Sequence, residues 1–276
     1  MTTPPSSTTS SGGTATKSPI RIGLEFPTTG SEASLGTHQE LGAQLVFEYV
    51  NHHGGIDGHP IKLYKADSQS NPGAAATAAQ RLISQDHVQI IVGSYGSSLA
   101  QAEVPVAARN KVMLWEVGAV SPTVNKSSSP YFLRTVGASG TYAAAQIGFL
   151  ESFLAPKLGM PLSKIRVAIA HENGPFGSSV AQAEVSQGRK AGLDIVTNVS
   201  YSESTTDMTP VVLKLKTAKA DVILMTPLVS SAFLFWQAAK TQNLNVKAFL
   251  GTAGFGSAAF LKKFAAKGVQ GVYDTE

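Results

Sequence analysis

From Pro19 onward, apolar and polar positions change period in a regular rhythm. IRIGLEF (20–26) is a short run rich in branched side chains, as a strand requires. GTHQELGAQLVFEYVNHHG (36–54) then recurs at helical spacing, with Leu41, Leu45, Val46 and Tyr49 expected to form the buried stripe. Gly54 and Gly55 stop that helix. IKLYKAD (61–67) predicts the next strand. Asn71 and Pro72 read as an N-cap with proline at the first helical position, opening a helix to about Gln85. VQIIVG (88–93) is apolar throughout, as in a strand covered on both faces. Ser97 or Ser98 is expected to cap a helix to Arg109, and KVMLWEV (111–117) gives a further strand.

The second half repeats the rhythm. Helices are predicted over 141–154, 178–191, 207–216, 230–241 and 257–264, and strands over 165–171, 193–201, 221–226, 247–251 and 268–274. Such alternation implies βαβ units, parallel sheets and helices on both faces. RTVGASGT (134–141) divides the two sets. The expected class is therefore α/β: two Rossmann-like lobes with parallel sheets, residues 19–136 and 137–276, with a hinge and a cleft between them. Residues 1–18 hold many Ser, Thr, Pro and Gly and no large apolar side chain after Met1. They are expected to be a disordered linker: either a ragged terminus or the tether that follows a signal or lipid anchor.

Composition narrows the function. With 276 residues and 43% hydrophobic content, a core of ample size is expected, yet no apolar run reaches the roughly 18 residues of a membrane span. Charged residues are 14% of the chain and the net charge of +4 is thinly spread, which is no footprint for nucleic acid. The absence of cysteine excludes disulfides, thiolate metal sites and cysteine nucleophiles. No strand is followed by a GxGxxG, GxxxxGK[ST] or GxSxG pattern, and the six histidines lack metal-ligand spacing. Neither a cofactor, a metal nor catalysis is expected.

What the chain does carry is a set of strand-to-helix turns rich in small and hydroxyl residues. SYGSSLAQAE (94–103) follows a buried strand, and its Gly96, Ser97 and Ser98 lead into a helix whose free N–H groups suit a carboxylate. The bland reading is that Ser97 simply caps the helix. GAVSP (118–122), ENGPFGSS (172–179), PLVSS (227–231) and TAGFGS (252–257) are turns of the same kind. Five such turns on two lobes can converge on one cleft.

In order along the chain, these segments resemble the type I periplasmic solute-binding proteins of the branched-chain amino acid (leucine/isoleucine/valine) group. The resemblance rests on IRIGLEFPTTGSEASLG, VNHHGGIDGHPIKLYKADSQSNPGAAATAAQRLI, IIVGSYGSS with GAVSP and FLRT, and HENGPFG with DVILMT. It implies ligand capture by lobe closure, delivery to the membrane permease of an ABC importer, an extracytoplasmic location and a monomer. Two rivals are a sensory ligand-binding domain of the same fold and a nucleotide-using enzyme on a doubly wound sheet.

Carried onto this chain, the resemblance places Ser97 at the ligand carboxylate, with Tyr95, Gly96 and Ser98 beside it and Gly118, Ala119 and Val120 on the next turn. Phe176 closes over the ligand, Leu35 and Leu228 line the wall, and Ala253 stands where amino-acid binders carry the acid that pairs the ligand ammonium. Glu116 is a candidate replacement for that acid; otherwise a neutral amide or an aromatic or aliphatic carboxylate fits better than a zwitterion. VQGVYDTE (269–276) resembles the family's second inter-lobe crossing, so a C-terminally truncated receptor is expected. The alternative is that a partner chain or shorter topology completes it.

Overall fold

The structure is a computed structural model in which residues 17–275 are described. The linker expected over residues 1–18 therefore lies almost wholly outside the described residues. The first half contains β1 (Ile20–Phe26), α1 (Ala33–His52), β2 (Ile61–Asp67), α2 (Pro72–Ser84), β3 (Ile90–Gly93), α3 (Ser97–Asn110), β4 (Met113–Glu116) and β5 (Phe132–Arg134). The second contains α4 (Ser139–Phe149), α5 (Ala155–Leu158), β6 (Arg166–Glu172), α6 (Pro175–Lys190), β7 (Asp194–Tyr201), α7 (Thr209–Thr217), β8 (Val222–Thr226), α8 (Val229–Thr241), β9 (Ala248–Gly251), α9 (Ala258–Gly268) and β10 (Val272–Asp274). A π-helical turn, Leu150–Leu154, joins α4 to α5.

Each half builds one parallel five-stranded sheet. The orders are β2-β1-β3-β4-β5 and β7-β6-β8-β9-β10, the same winding twice. Chain direction across the sheet reverses between β1 and β3, and again between β6 and β8. Such switch points open a crevice at the carboxyl ends of the strands. Alternate residues of each strand serve opposite layers: Val222 and Leu224 pack toward α4 and α6, while Ile223 and Met225 pack toward α7 and α8. In the first sheet, small residues at Ala78 and Ala79 of α2 and at Ala100 and Ala107 of α3 share a buried cluster with Ile91 and Leu114.

Two expectations need correction here. RTVGASGT, expected only to divide the lobes, begins on the last residue of β5, a strand that the apolar pattern does not predict and that pairs Leu133 with Trp115 at the sheet edge. Three residues are too short a run to show a period. The second correction is the face of α1. Leu41, Leu45, Val46 and Tyr49 all point to solvent, with Leu45 68% exposed. The buried side is instead Gly36 and Phe47, with Ala43 and Val50 packed against Ile22, Leu24 and Phe26 of β1. Two apolar stripes compete on this helix, and the sheet selects the one carrying the Phe47 ring. Glu40 on that side is tied to Lys65 of β2 at 2.7 Å.

Candidate functional site

In the first lobe the site begins where β3 ends. The N-cap of α3 is Gly96, in extended conformation, and no side chain caps the helix. This replaces the expected serine cap. Ser97 is used differently. Its Oγ accepts the Ser121 N–H at 3.2 Å and so joins the first turn of α3 to the turn after β4. The hydroxyl proton of Ser97 and the first-turn N–H groups of α3 then stand at the positive end of the helix.

Glu116, the last residue of β4, is fully buried and holds both turns together. Its Oε1 accepts the N–H groups of Gly118 and Ala119, both at 2.7 Å, and its Oε2 accepts that of Ser94 at 2.9 Å. Burial and the neighbouring Glu103 push Glu116 up to about 8, against the pull of these three donors. Glu25 and Glu103 are two further buried carboxyl groups behind it, both raised by burial. The expectation that Glu116 meets a ligand ammonium is thereby corrected, because its oxygens already serve the backbone. Ala119 is likewise buried, with its N–H committed to Glu116. Gly118 is required for a steric reason: a Cβ there would lie 2.7 Å from both Gln39 Oε1 and the Ser94 carbonyl.

The second lobe uses the same device. Glu172, at the end of β6, accepts the N–H groups of Gly174 and Gly177, and burial raises it to about 8. This clamp shapes the start of α6, where Phe176 enters the cleft. Leu228 is the N-cap of α8, and Ala253 follows β9 with φ of 50°.

The turns of both lobes enclose a cavity of about 320 Å³, within the range of small-molecule sites. From the first lobe come Leu35, Tyr95, Gly96, Ser97, Ser98, Gly118 and Val120; from the second, Phe176, Leu228 and Ala253. Ten of the twelve residues singled out in the sequence thus share one cavity, and Glu116 and Ala119 lie behind it. Sequence reasoning missed Glu32, His38, Gln39, Val136, Tyr142 and Glu203, which also line it. Glu32 directly precedes α1, where an acid reads as an ordinary helix-start residue, and Glu203 lies in the exposed-looking SESTTD turn after β7. Burial, reinforced by Glu203, pushes Glu32 up to about 7. Among the described residues, no cluster of His, Cys, Asp and Glu could hold a metal ion. Trp115 is not a cavity residue; it packs on the α1 side of the sheet and donates from Nε1 to Thr135 at 2.9 Å.

Residues 19–276 match the model of the periplasmic binding protein family. Leu/Ile/Val-binding protein homolog 7 of Brucella abortus is 33% identical over 235 residues, covering 85% of this chain and 59% of the relative. The chain thus spans about three-fifths of the length of that relative. Among solved structures, the branched-chain amino acid substrate-binding protein LivJ of Streptococcus pneumoniae, in complex with isoleucine, superposes with a TM-score of 0.79 at 22% identity. That match covers 93% of this chain and 70% of the other. A solute-binding protein of an ABC transporter from R. palustris, in complex with 4-hydroxybenzoate, superposes with a TM-score of 0.71 at 26% identity, covering 84% and 61%. This chain belongs to the periplasmic binding protein family.

Proposed function

We propose that this periplasmic binding protein is the extracytoplasmic receptor of an ABC importer, and that it holds a small organic carboxylate between its lobes without transforming it. The observation that carries the reading is the cavity itself. Its first-lobe wall is the uncapped start of α3 with the Ser97 hydroxyl, and its second-lobe wall is the apolar surface of Phe176, Leu228 and Ala253. An anion gains from the free N–H groups and the helix dipole, while an apolar body gains from burial against the second lobe. Solved structures of the same fold in complex with isoleucine and with 4-hydroxybenzoate, both carboxylates, support a carboxylate as the ligand. Delivery to a permease and a place outside the cytoplasmic membrane follow from the family. No helix among the described residues is long and apolar enough to cross a membrane.

The test is calorimetry over a panel of amino acids, aliphatic acids, aromatic acids and amides, followed by Ser97→Ala with the best binder. Loss of one hydrogen bond to a charged group costs about 1.5–3 kcal/mol, so a weakening of roughly tenfold or more is expected. If amides bind as well as their acids, or if Ser97→Ala binds the acid as tightly as the parent, the carboxylate assignment is wrong.

A further inference from the structure

Two buried acceptor atoms on the cavity wall have no hydrogen-bond partner. Glu32 is 5% exposed, and its Oε2 makes no hydrogen bond while lining the cavity. Gln39 Oε1 is buried, unpartnered and on the same wall. Across the cleft, Glu203 of the second lobe lines the cavity too, and behind it stands Glu172, already occupied by Gly174 and Gly177. Glu32 and Glu203 also border the adjoining opening formed by Ser31, Ser98 and Ser204. Among the described residues, neither space has a lysine or arginine in its lining, and the remaining titratable groups there are His38, Tyr95 and Tyr142. The Arg134 guanidinium points away, donating to the carbonyls of Val120 and Ser121 at 3.3 and 2.9 Å.

The position of Glu32 depends on its neighbour. A Cβ on Gly96 would fall 2.4 Å from Glu32 Oε2 and 2.8 Å from Oε1. Glycine therefore lets this carboxylate lie directly against the turn that carries Ser97. An unpaired buried carboxylate beside a second one is costly unless a donor or cation joins them.

We propose that Glu32, with Gln39 Oε1 beside it and Glu203 opposite, is the subsite for a cationic amine on the bound carboxylate. It supplies from the first lobe the counter-charge that Ala253 cannot supply from the second. The inference rests on the carboxylate reading above and adds the second functional group of the ligand.

The experiment uses matched compounds that differ only in the amine: leucine and 4-methylpentanoate, phenylalanine and 3-phenylpropanoate, 4-aminobutyrate and butyrate. A further comparison, 4-hydroxybenzoate with benzoate, tests a neutral hydroxyl donor instead. In calorimetry with the parent chain, the amine-bearing member of at least one pair binds at least tenfold more tightly than its partner. In Glu32→Gln that preference shrinks at least tenfold, because the amine-bearing member loses affinity while the amine-free acid, relieved of a carboxylate beside the Ser97 turn, binds at least as tightly as to the parent, and the melting temperature shows that the chain is folded. The proposal is overturned if amine-free acids bind as well as or better than their amines, if no amine binds at millimolar concentration, if the hydroxyl pair alone shows the preference, or if Glu32→Gln leaves it intact. An amine-free acid that still binds and still responds to Ser97→Ala would retain the carboxylate reading while the amine subsite falls.

Discussion

Replacing Glu184 by glutamine is expected to leave stability nearly unchanged at pH 5 and to raise it progressively toward pH 8. Glu184 lies on the inner face of α6, fully buried near Gln146 of α4, and among the described residues no basic group is bonded to it. Burial pushes this carboxyl from 4.5 up to about 8. The sign follows from proton counting. Between these values the folded chain keeps the proton that the unfolded chain has lost, so stability falls as pH rises through the window and levels off above the folded value. At about 1.4 kcal/mol per tenfold change, the ionised form costs the fold roughly 5 kcal/mol as a ceiling. Relaxation and water entry around a buried ion reduce such costs, leaving an expected gain for the amide of roughly 2–4 kcal/mol at pH 8 to 9. For a chain of this size that corresponds to a melting temperature higher by roughly 5–10 °C. The assay is thermal unfolding of parent and Glu184→Gln in parallel from pH 4.5 to 9. The buried acids Glu25, Glu116 and Glu172 titrate in both proteins, so the difference between the curves isolates Glu184. A difference that is flat with pH, or that favours the parent at high pH, would refute the reasoning.

Two further outcomes are expected. Gly96→Ala has a backbone conformation that alanine accepts, φ −84° and ψ 140°, so its effect is steric: the new methyl displaces the Glu32 carboxylate, and circular dichroism should show an intact fold while any amine preference in calorimetry falls at least tenfold. Lys111→Gly, at the exposed left-handed C-cap of α3 with φ 55°, should raise stability in urea unfolding by about 0.5–1 kcal/mol, and a loss would show that the lysine stem contributes packing there.

The doubly wound pattern and most turn positions were legible because they depend on local chemistry. Asn71 caps α2 by accepting the Ala74 N–H at 3.0 Å, with Pro72 at the first helical position, as a pairwise sequence signal indicates. The convergence of residues 95–98, 118, 120, 176, 228 and 253 follows from strand order, since all sit at the carboxyl ends of parallel strands. Glu32 and Glu203 were not legible, because 171 positions separate them and only the packing of two lobes brings them to one cavity. The role of Glu116 was hidden for a different reason. An acid at the end of a strand carries no local mark that distinguishes an acceptor for three backbone N–H groups from one that faces a ligand. On α1 the periodicity was real but two-sided, and choosing between the stripe of Leu45 and that of Phe47 required the opposing sheet.

The repeated winding gives the two lobes unequal parts in recognition. Both bend a cleft turn around a buried glutamate, Glu116 in one and Glu172 in the other, and each carboxylate takes up backbone N–H groups of the turns beside it. In the second lobe, the residues left facing the ligand are chiefly Phe176, Leu228 and Ala253. In the first, the start of α3 keeps its free donors beside Ser97, and Glu32 and Gln39 keep unpaired acceptors. Under the proposed assignments, the polar ends of the ligand are therefore fixed on the first lobe. Second-lobe closure then adds mainly apolar burial, about 25 cal/mol for each Å² removed from water, together with the carboxylate of Glu203. Selectivity among amines and acids is set by the first lobe, whereas selectivity for the bulk and shape of the ligand body is set by Phe176, Leu228 and Ala253. Substitutions at Glu32 or Ser97 should therefore change which functional groups are accepted, and substitutions at Phe176 should change which hydrocarbon frame is accepted, with little exchange between the two effects.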